Sequence, residues 1–482
     1  MKMIGFVAEY NPLHNGHIHQ IAQVKQRYGN RLGLIAVMSG DWTQRAGLAI
    51  LDKWERARLA TQAGISLIIE LPTVFATGNA PCFAKGAVEL LTATGLIKQI
   101  CCGAETDQPK YLHQVADLME SEPPALSRHL QEALKQGLNA GAAWEQALKA
   151  YLSTANPAVT KDTSELKKRL NFTEQMNLEK QSNSRQQAPL VNQSDKGQEM
   201  SSDDTLPDDL LRGSNNWLAL EYIKAARRLG NSGPHVTVLP RQGQPYLDTT
   251  AHTETDLDYP SGTAIREKLY QLFGSRLSQT NVSSKRPPFN EKMWLQLCRG
   301  LPDSTAATLL RTGLNRHLGF NEQMGPHLLC SLLAQPKQSL EKLAGFSPDF
   351  TNRSVANARE LNDIEPVEIW SSFIEKSRSR NFTIAYVVRA LTALALGITD
   401  EQRKRAMTVG PQYIRVLAFD KTGRYLLRRM RESATLPVIT RESDFLEYNG
   451  LGQNFTEQYE LDMKAVRIRR LMLGQGPGNN FD

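Results

Sequence analysis

The sequence predicts an α/β protein: an N-terminal parallel-sheet domain, residues 1–284, followed by a mostly α-helical C-terminal domain, residues 285–482. Three observations carry this. Short apolar runs of strand length alternate with helical patterns through the first hundred residues. Beyond about residue 285 the patterns are almost all helical. And 482 residues exceed what one hydrophobic core organises.

The first element is the strand at 3–8 ("MIGFVA"), followed by a helical pattern at 16–28. Strands at 33–38 ("GLIAVM"), 65–71 and 97–102 ("IKQICC") come next, separated by helical patterns at 52–63 and 84–95. These strands read as continuous apolar runs, as expected where helices cover both faces of a parallel, Rossmann-like sheet. A further strand at 235–240 ("HVTVLP") returns to the sheet, and a helix spans 261–273, with Ser261 or Thr263 able to cap it. Between these lies an insertion. Within 181–205 only four of 25 residues are apolar, too few to offset the entropy of ordering, so 155–208 reads as an inserted, largely disordered loop with a helix at 163–180. The C-terminal helices are expected at 291–300, 305–313, 325–334, 367–377, 383–396 and 400–407, and residues 413–433 read as a short strand or turn followed by a basic helix.

No apolar run approaches the ~20 residues of a membrane span, and the N-terminus lacks a secretory signal's long apolar segment. A cytoplasmic protein with no membrane partner is expected. The five cysteines, Cys82, Cys101, Cys102, Cys298 and Cys330, show no metal-ligand spacing and read as reduced thiols. A net charge of +7 permits a polyanionic partner.

Chemistry concentrates in "EYNPLHNGHIH", residues 9–19, between the first strand and the first helix. His14 and His17 are three residues apart, on one face of a first helical turn, where they can stabilise charge on a pentacovalent phosphorus. Gly16 lets the backbone approach a ligand, and a helix N-terminus offers free N–H groups and a positive dipole end to phosphate. A pair of surface histidines beside a helix cap is the plainer alternative.

This HxGH stretch, in this place, resembles the nucleotidyltransferase superfamily that splits ATP between its α and β phosphates. Its second phosphate motif, ISSTxIR, has a counterpart in "PSGTAIREKL" (260–269), which makes Ser261, Thr263 and Arg266 candidate pyrophosphate contacts. A closer resemblance rests on "GFVAEYNPLHNGHIHQI" (5–21), "VMSGDWTQRAGLAILDKWERARLA" (37–60), "IIELP" (68–72), "SNNWLALEYIKA" (214–225), "LPRQGQPY" (239–246), "RNFT" (380–383) and "YIRVLAFDKTGRYLL" (413–427). These segments are similar to the bacterial tRNA(Met) cytidine acetate ligase family over nearly the whole chain except the insertion. The resemblance implies ATP as co-substrate, acetyl-adenylate as intermediate, and N4 of the wobble cytidine of elongator tRNA(Met) as acceptor. It implies an ATP-binding stretch of Val7, Ala8, Glu9, Tyr10, Asn11, Pro12, Leu13, His14, Asn15, Gly16, His17, Ile18, His19 and Gln20. It adds Gly103, Asn215 or Asn216, and Arg241. Catalysis is expected of His14, His17 and Arg266, and magnesium is expected to neutralise the triphosphate without a cage of protein ligands. The chain departs from the family where QRGEPA is replaced by Gln44-Arg45-Ala46-Gly47-Leu48-Ala49, and where Tyr246-Leu247 replaces a Tyr-His pair. Arg45 is a further candidate because its loop faces the carboxyl ends of the strands. Lys53 reads as a solvated lysine or a phosphate ligand, and Trp42 and Trp54 as packing.

Residues 376–432 hold 13 Lys and Arg against four acids, with Phe382, Tyr386, Tyr413 and Tyr425 interleaved. Concentrated arginine with aromatics suits RNA phosphates and unstacked bases. Arg378, Arg380, Arg389, Arg415, Arg424, Arg428 and Arg429 are the tRNA-binding candidates. Two other readings stand beside the ligase: a nucleotidyltransferase acting on a phosphorylated metabolite, and an RNA-binding protein that binds ATP without catalysis.

Overall fold

The computed structural model describes residues 1–45, 47–138, 140–154, 210–211, 213–241, 258–274, 289–448, 450 and 452–476. The expected insertion at 155–208, its helix at 163–180 and Tyr246-Leu247 lie outside the described residues. The chain forms two bodies, Met1–Pro109 with Gly213–Asp482, and Lys110–Arg212.

In the larger body, β1 (Lys2–Ala8) leads to α1 (Asn15–Tyr28), β2 (Leu32–Ser39), a small hairpin of β3 (Trp42–Thr43) and β4 (Gly47–Leu48), then α2 (Lys53–Gln62). After β5 (Leu67–Leu71) come α3 (Thr73–Ala76), α4 (Ala80–Ala93) and β6 (Gln99–Ala104). The smaller body carries α5 (Pro109–Ser121), α6 (Pro124–Lys135) and α7 (Ala140–Thr154), with α6 packed on α7. The larger body resumes with α8 (Ser214–Arg228), β7 (His235–Pro240) and α9 (Gly262–Phe273). The C-terminal region adds α10 (Glu291–Arg299), α11 (Asp303–Leu314), α12 (Gly325–Ala334), α13 (Lys337–Leu340), α14 (Pro348–Arg359), α15 (Ile369–Ser377), α16 (Ile384–Leu396) and α17 (Asp400–Val409). It ends with β8 (Ile414–Phe419), α18 (Lys421–Ser433), β9 (Val438–Ile439), α19 (Glu442–Glu447) and α20 (Gln453–Met472).

The sheet has seven strands in the order β7-β6-β1-β2-β5-β8-β9. From β7 to β5 every pairing is parallel, with β1 and β2 aligned from Lys2–Leu32 to Ala8–Met38. Every residue of β2 and β5 is buried, and apart from Ser39 and Glu70 both strands are apolar, as burial on both faces requires. Local chemistry starts the helices: Asp52 caps α2, Asn79 caps α4, Ser261 caps α9, and Thr399 makes a capping box with Gln402 on α17.

The expected seam at 284/285 is corrected. β8, from the region expected to be a separate helical domain, pairs antiparallel with β5 and extends the N-terminal sheet. Its residues Ile414, Val416 and Leu417 are buried there, so the C-terminal region completes the sheet's core.

Candidate active site

The carboxyl ends of β1, β6 and β7 open onto a cleft that encloses about 1130 Å³ of empty space, open solvent included. Open parallel sheets bind ligands at this edge. Of the resemblance's nucleotide stretch, Val7, Ala8, Glu9, Tyr10, Asn11, Pro12, His14, Gly16, His17, His19 and Gln20 line the cleft; so do Gly103, Asn215, Arg241 and Arg266.

The two histidines are built by the helix start itself. His14 is the N-cap of α1; its Nδ1 accepts from the Gly16 amide at 3.1 Å, while the His14 amide donates to Nδ1 of His17 at 3.2 Å. Each Nδ1 is therefore an acceptor, and each neutral ring carries its proton on Nε2. The rings lie 3.9 Å apart. Desolvation, then Arg241, pulls the His17 pKa down to about 3; desolvation, then His17, Arg241 and Arg266, holds His14 well below its usual value. The pair is thus a set of neutral N–H donors at physiological pH. Tyr10 packs edge-on against His17 with its backbone at φ 46, a conformation uncommon for a bulky residue.

One expectation about this turn is corrected. The N–H groups of Asn15, Gly16 and His17 are taken by the Gly300 carbonyl, the His14 ring and the His14 carbonyl. At its first turn α1 offers the cleft imidazoles, not its first amides.

Arg266 closes the opposite wall. Its Nη1 donates to the Asn11 carbonyl at 2.9 Å and its Nη2 to the Thr263 hydroxyl at 3.1 Å, which ties α9 to the loop before α1. A methyl group added at Gly262 would stand 3.9 Å from His14 Nε2 and 3.3 Å from Arg266 Nη1, so the start of α9 sits directly over the histidine. At Gly103 a methyl would meet the Arg241 side chain at 3.0 Å, so a larger residue there would push that arginine aside by a few tenths of an ångström.

The two asparagines have different partners. Asn216 is buried, its side-chain oxygen accepting from the amides of Glu105 and Thr106 at 2.8 and 3.1 Å. Asn215 lines the cleft, and its side chain donates to Glu105 at 2.6 Å. The Glu105 carboxylate also accepts the Asn215 and Asn216 amides, serving as the cap of α8 from a distant loop.

Several expected nucleotide contacts do not line the cleft. Leu13 is in the hydrophobic core. Asn15 donates to the carbonyls of Asp258 and Arg299. Ile18 packs against the core, and Asn216 is the buried clamp just described. Ser261 is fully buried and spends its hydroxyl on the Ala264 amide, and Thr263 accepts from Arg266. The cleft also takes residues to which the sequence assigned nothing: Gln23, Phe83, Leu218 and Tyr222. Gln20 and Gln23 share a helical face, a spacing that would have found Gln23; the others come from α4 and α8, which only tertiary packing brings here.

Around the altered segment β3 and β4 pair as a hairpin, Trp42–Leu48 and Thr43–Gly47, with Gly47 at φ 66; Ala46 lies outside the described residues. Gln44 and Arg45 reach the cleft, and Arg45 donates to the Ser214 hydroxyl and carbonyl at 2.8 and 2.7 Å. Lys53 is neither solvated nor in the cleft: it is fully buried, with Nζ 2.9 Å from each Glu70 oxygen. Trp42 is buried and donates to the Ala465 carbonyl.

Of the basic candidates, Arg415 is corrected. It lies in β8 at 0% exposure, 3.3 Å from Glu70, so it cannot meet RNA. Arg378 and Arg380 are exposed, and Arg378 pairs with Glu375. Arg389 is half-buried, its pKa lowered by desolvation and by the nearby charges of Arg403 and Arg45. Arg424, Arg428 and Arg429 are exposed on α18. That helix is anchored at the amino ends of the strands, through Asp420 to Ser66, Leu426 against Gly33 and Ser433 to Thr94. It therefore occupies the edge of the sheet opposite the cleft. No helix among the described residues is long and apolar enough to cross a membrane.

Comparison with known proteins places this geometry. The HIGH Nucleotidyl Transferase family description fits residues 1–478. A tRNA(Met) cytidine acetate ligase of Thermotoga maritima is 30% identical over 468 residues, 95% of this chain and 93% of that protein. One from Clostridium acetobutylicum is 26% identical over 467 residues, 97% of each. The crystal structure of Thermotoga maritima TmcAL bound with alpha-thio ATP superposes with a TM-score of 0.75 at 27% identity, covering 98% of this chain and 95% of that one. Its apo form I gives 0.78 at 28% identity, covering 100% and 98%. The chain belongs to the HIGH nucleotidyl transferase family and, within it, to that of the tRNA(Met) cytidine acetate ligases.

Proposed function

We propose that this enzyme activates acetate with ATP as acetyl-adenylate and then acetylates N4 of the wobble cytidine of elongator tRNA(Met), in the cytoplasm. The observation that supports it most is the pair of neutral imidazoles, each with Nε2–H free of its helix cap, set beside Arg241 and Arg266 at the carboxyl edge of a parallel sheet. In the first step an acetate oxygen attacks the α-phosphorus and the bond to the bridging oxygen breaks, releasing pyrophosphate. Nε2–H of His14 and His17 stabilises charge that develops on the phosphorus oxygens. Arg241 and Arg266 hold the polyphosphate, and Asn215 rather than Asn216 meets the nucleotide, because Asn216 is committed to the loop after β6. Among the described residues no three His, Cys, Asp or Glu cluster to hold a metal, so magnesium is assigned to the nucleotide and no step is routed through a protein cage.

For the RNA, Arg45 and Arg389 form the cleft-side charge, with Arg378 and Arg380 exposed on the turn before α16. The α18 arginines would meet only a part of the tRNA far from the reacting base. The test is acetate-dependent exchange of pyrophosphate into ATP, followed by mass spectrometry of elongator tRNA(Met) incubated with enzyme, ATP and acetate. Exchange that requires acetate, and N4-acetylcytidine in the RNA, are expected. Exchange that requires a phosphorylated metabolite instead of acetate would replace this reading.

A further inference from the structure

The cleft contains one charged group to which the adenylation step above gives no role. Glu9 follows β1 directly and opens onto the same space as His14, His17, Arg241 and Arg266. Its position is fixed at both ends: Oε1 accepts from the Gln44 amide at 2.8 Å, and its carbonyl accepts from Arg56 Nη1 at 2.6 Å. Arg56 is itself buried and also donates to the carbonyls of Leu51 and Gly40. Among the described residues the Gln44 amide is the hydrogen-bond donor to the Glu9 carboxylate, and no Lys, Arg or His forms an ion pair with it. A fixed carboxylate at the border of a polyphosphate site, near the buried Arg56 charge but not hydrogen-bonded to it, repels the nucleotide. Such a group is useful where another substrate brings it a proton donor.

The lining also holds apolar and aromatic surface: Tyr222, Phe83, Leu218 and Cys102, contributed by α8, α4 and β6. Tyr222 is close enough to Arg45 and Glu9 to feel their charges, so this aromatic ring and the carboxylate belong to one compartment.

We propose that Glu9 is a catalytic residue of the transfer step: its carboxylate accepts the exocyclic N4 amine of the acceptor cytosine, with Tyr222 and Phe83 against the ring. This rests on the acetyl-transfer reading. The N4 lone pair attacks the acetyl carbonyl carbon, the bond from that carbon to the adenylate oxygen breaks with its electrons leaving on AMP, and one N4 proton passes to Glu9. A carboxylate matches cytosine, whose N4 donates, and rejects uracil, which presents an oxygen acceptor at that position.

The test separates the two half-reactions in the full-length enzyme. Acetate-dependent exchange without tRNA reads the first; single-turnover transfer from preformed acetyl-adenylate to elongator tRNA(Met) reads the second. For Glu9→Gln, transfer is expected to slow about 10²–10⁴-fold, the usual range for a lost general base, with a loss in exchange at least tenfold smaller. Glu9→Asp, which keeps the charge but withdraws it by one methylene, is expected to show the same selective loss at smaller size, and serves if the Gln variant does not fold. Equal losses in both half-reactions would put Glu9 with the nucleotide or its magnesium and overturn the proposal, as would transfer at the wild-type rate. Wild-type exchange is the control: if it does not need acetate, the function reading fails and this assignment with it. If it does need acetate, an unselective variant removes Glu9 alone.

Discussion

Strand β8 and helix α18 are separated by one residue, Asp420, and both carry arginine, yet the two use it in opposite ways. Arg415 is enclosed in the sheet, ion-paired to Glu70 beside Lys53 and set over the Trp54 ring. Arg424, Arg428 and Arg429 stand in solvent on a helix that buries only its Gly423, Leu426 and Met430 face. Net charge treats these arginines as one basic segment. Burial divides them: the first holds the C-terminal region to the N-terminal sheet, and the others are available to a polyanion. The same contrast extends to the sheet's two edges, with polar groups directed inward at the cleft and outward at the far end.

Removing the shared carboxylate breaks the comparison most severely. Glu70→Ala removes the carboxylate that the buried Lys53 and Arg415 share, and about 3–5 kcal/mol of stability should be lost; urea unfolding measures it. A loss under about 1 kcal/mol would mean that water reaches the pair. At the cleft, His17→Ala should cost about 10²–10³ in acetate-dependent exchange, while its unfolding midpoint moves little, and a near-normal rate would end the assignment.

Acid sharpens the contrast between the edges. His17 has a folded pKa near 3 against an ordinary 6.5, so between these values the unfolded state binds the extra proton. Stability is therefore fully present above pH 6.5 and falls as pH drops toward 3. The melting temperature should decline across that window, and less steeply in His17→Asn; parallel curves would show that the ring is not the acid-labile group. The smallest effect belongs to the far edge. Replacing Arg424, Arg428 and Arg429 by Ala should leave stability within about 0.5 kcal/mol and flatten the salt dependence of tRNA binding by a log–log slope of roughly 0.7–0.9 per lost phosphate contact. An unchanged slope would confine RNA binding to the cleft side, where Arg45 and Arg389 stand.

Much of the fold was legible because strands and helices announce themselves locally. The expected strand at 235–240 and helix at 325–334 coincide with β7 and α12, and most other boundaries shift by one to four residues. Helices α3, α5 to α8, α13, α14, α19 and α20 were not read. α20 buries Gln458, Asp462 and Arg469 along with its apolar side chains, which obscures the helical period of its hydrophobic face.

By itself the sequence determined the alternation that makes a parallel sheet, the HxGH turn at the end of its first strand, and the histidine cap. All of these rest on contacts within a few residues, where spacing is geometry. Tertiary structure alone decided that β8 joins the sheet antiparallel, that Arg415 is interior, and that Asn216 clamps a loop while its neighbour Asn215 faces the cleft. It also decided that the basic helix lies at the opposite edge and that Glu105 caps α8 across more than a hundred residues of chain. In each case the deciding partner is remote in sequence. A side chain's charge and hydrogen-bonding capacity are written in its identity, but whether they face solvent, a counter-ion or a ligand depends on what the fold packs against it.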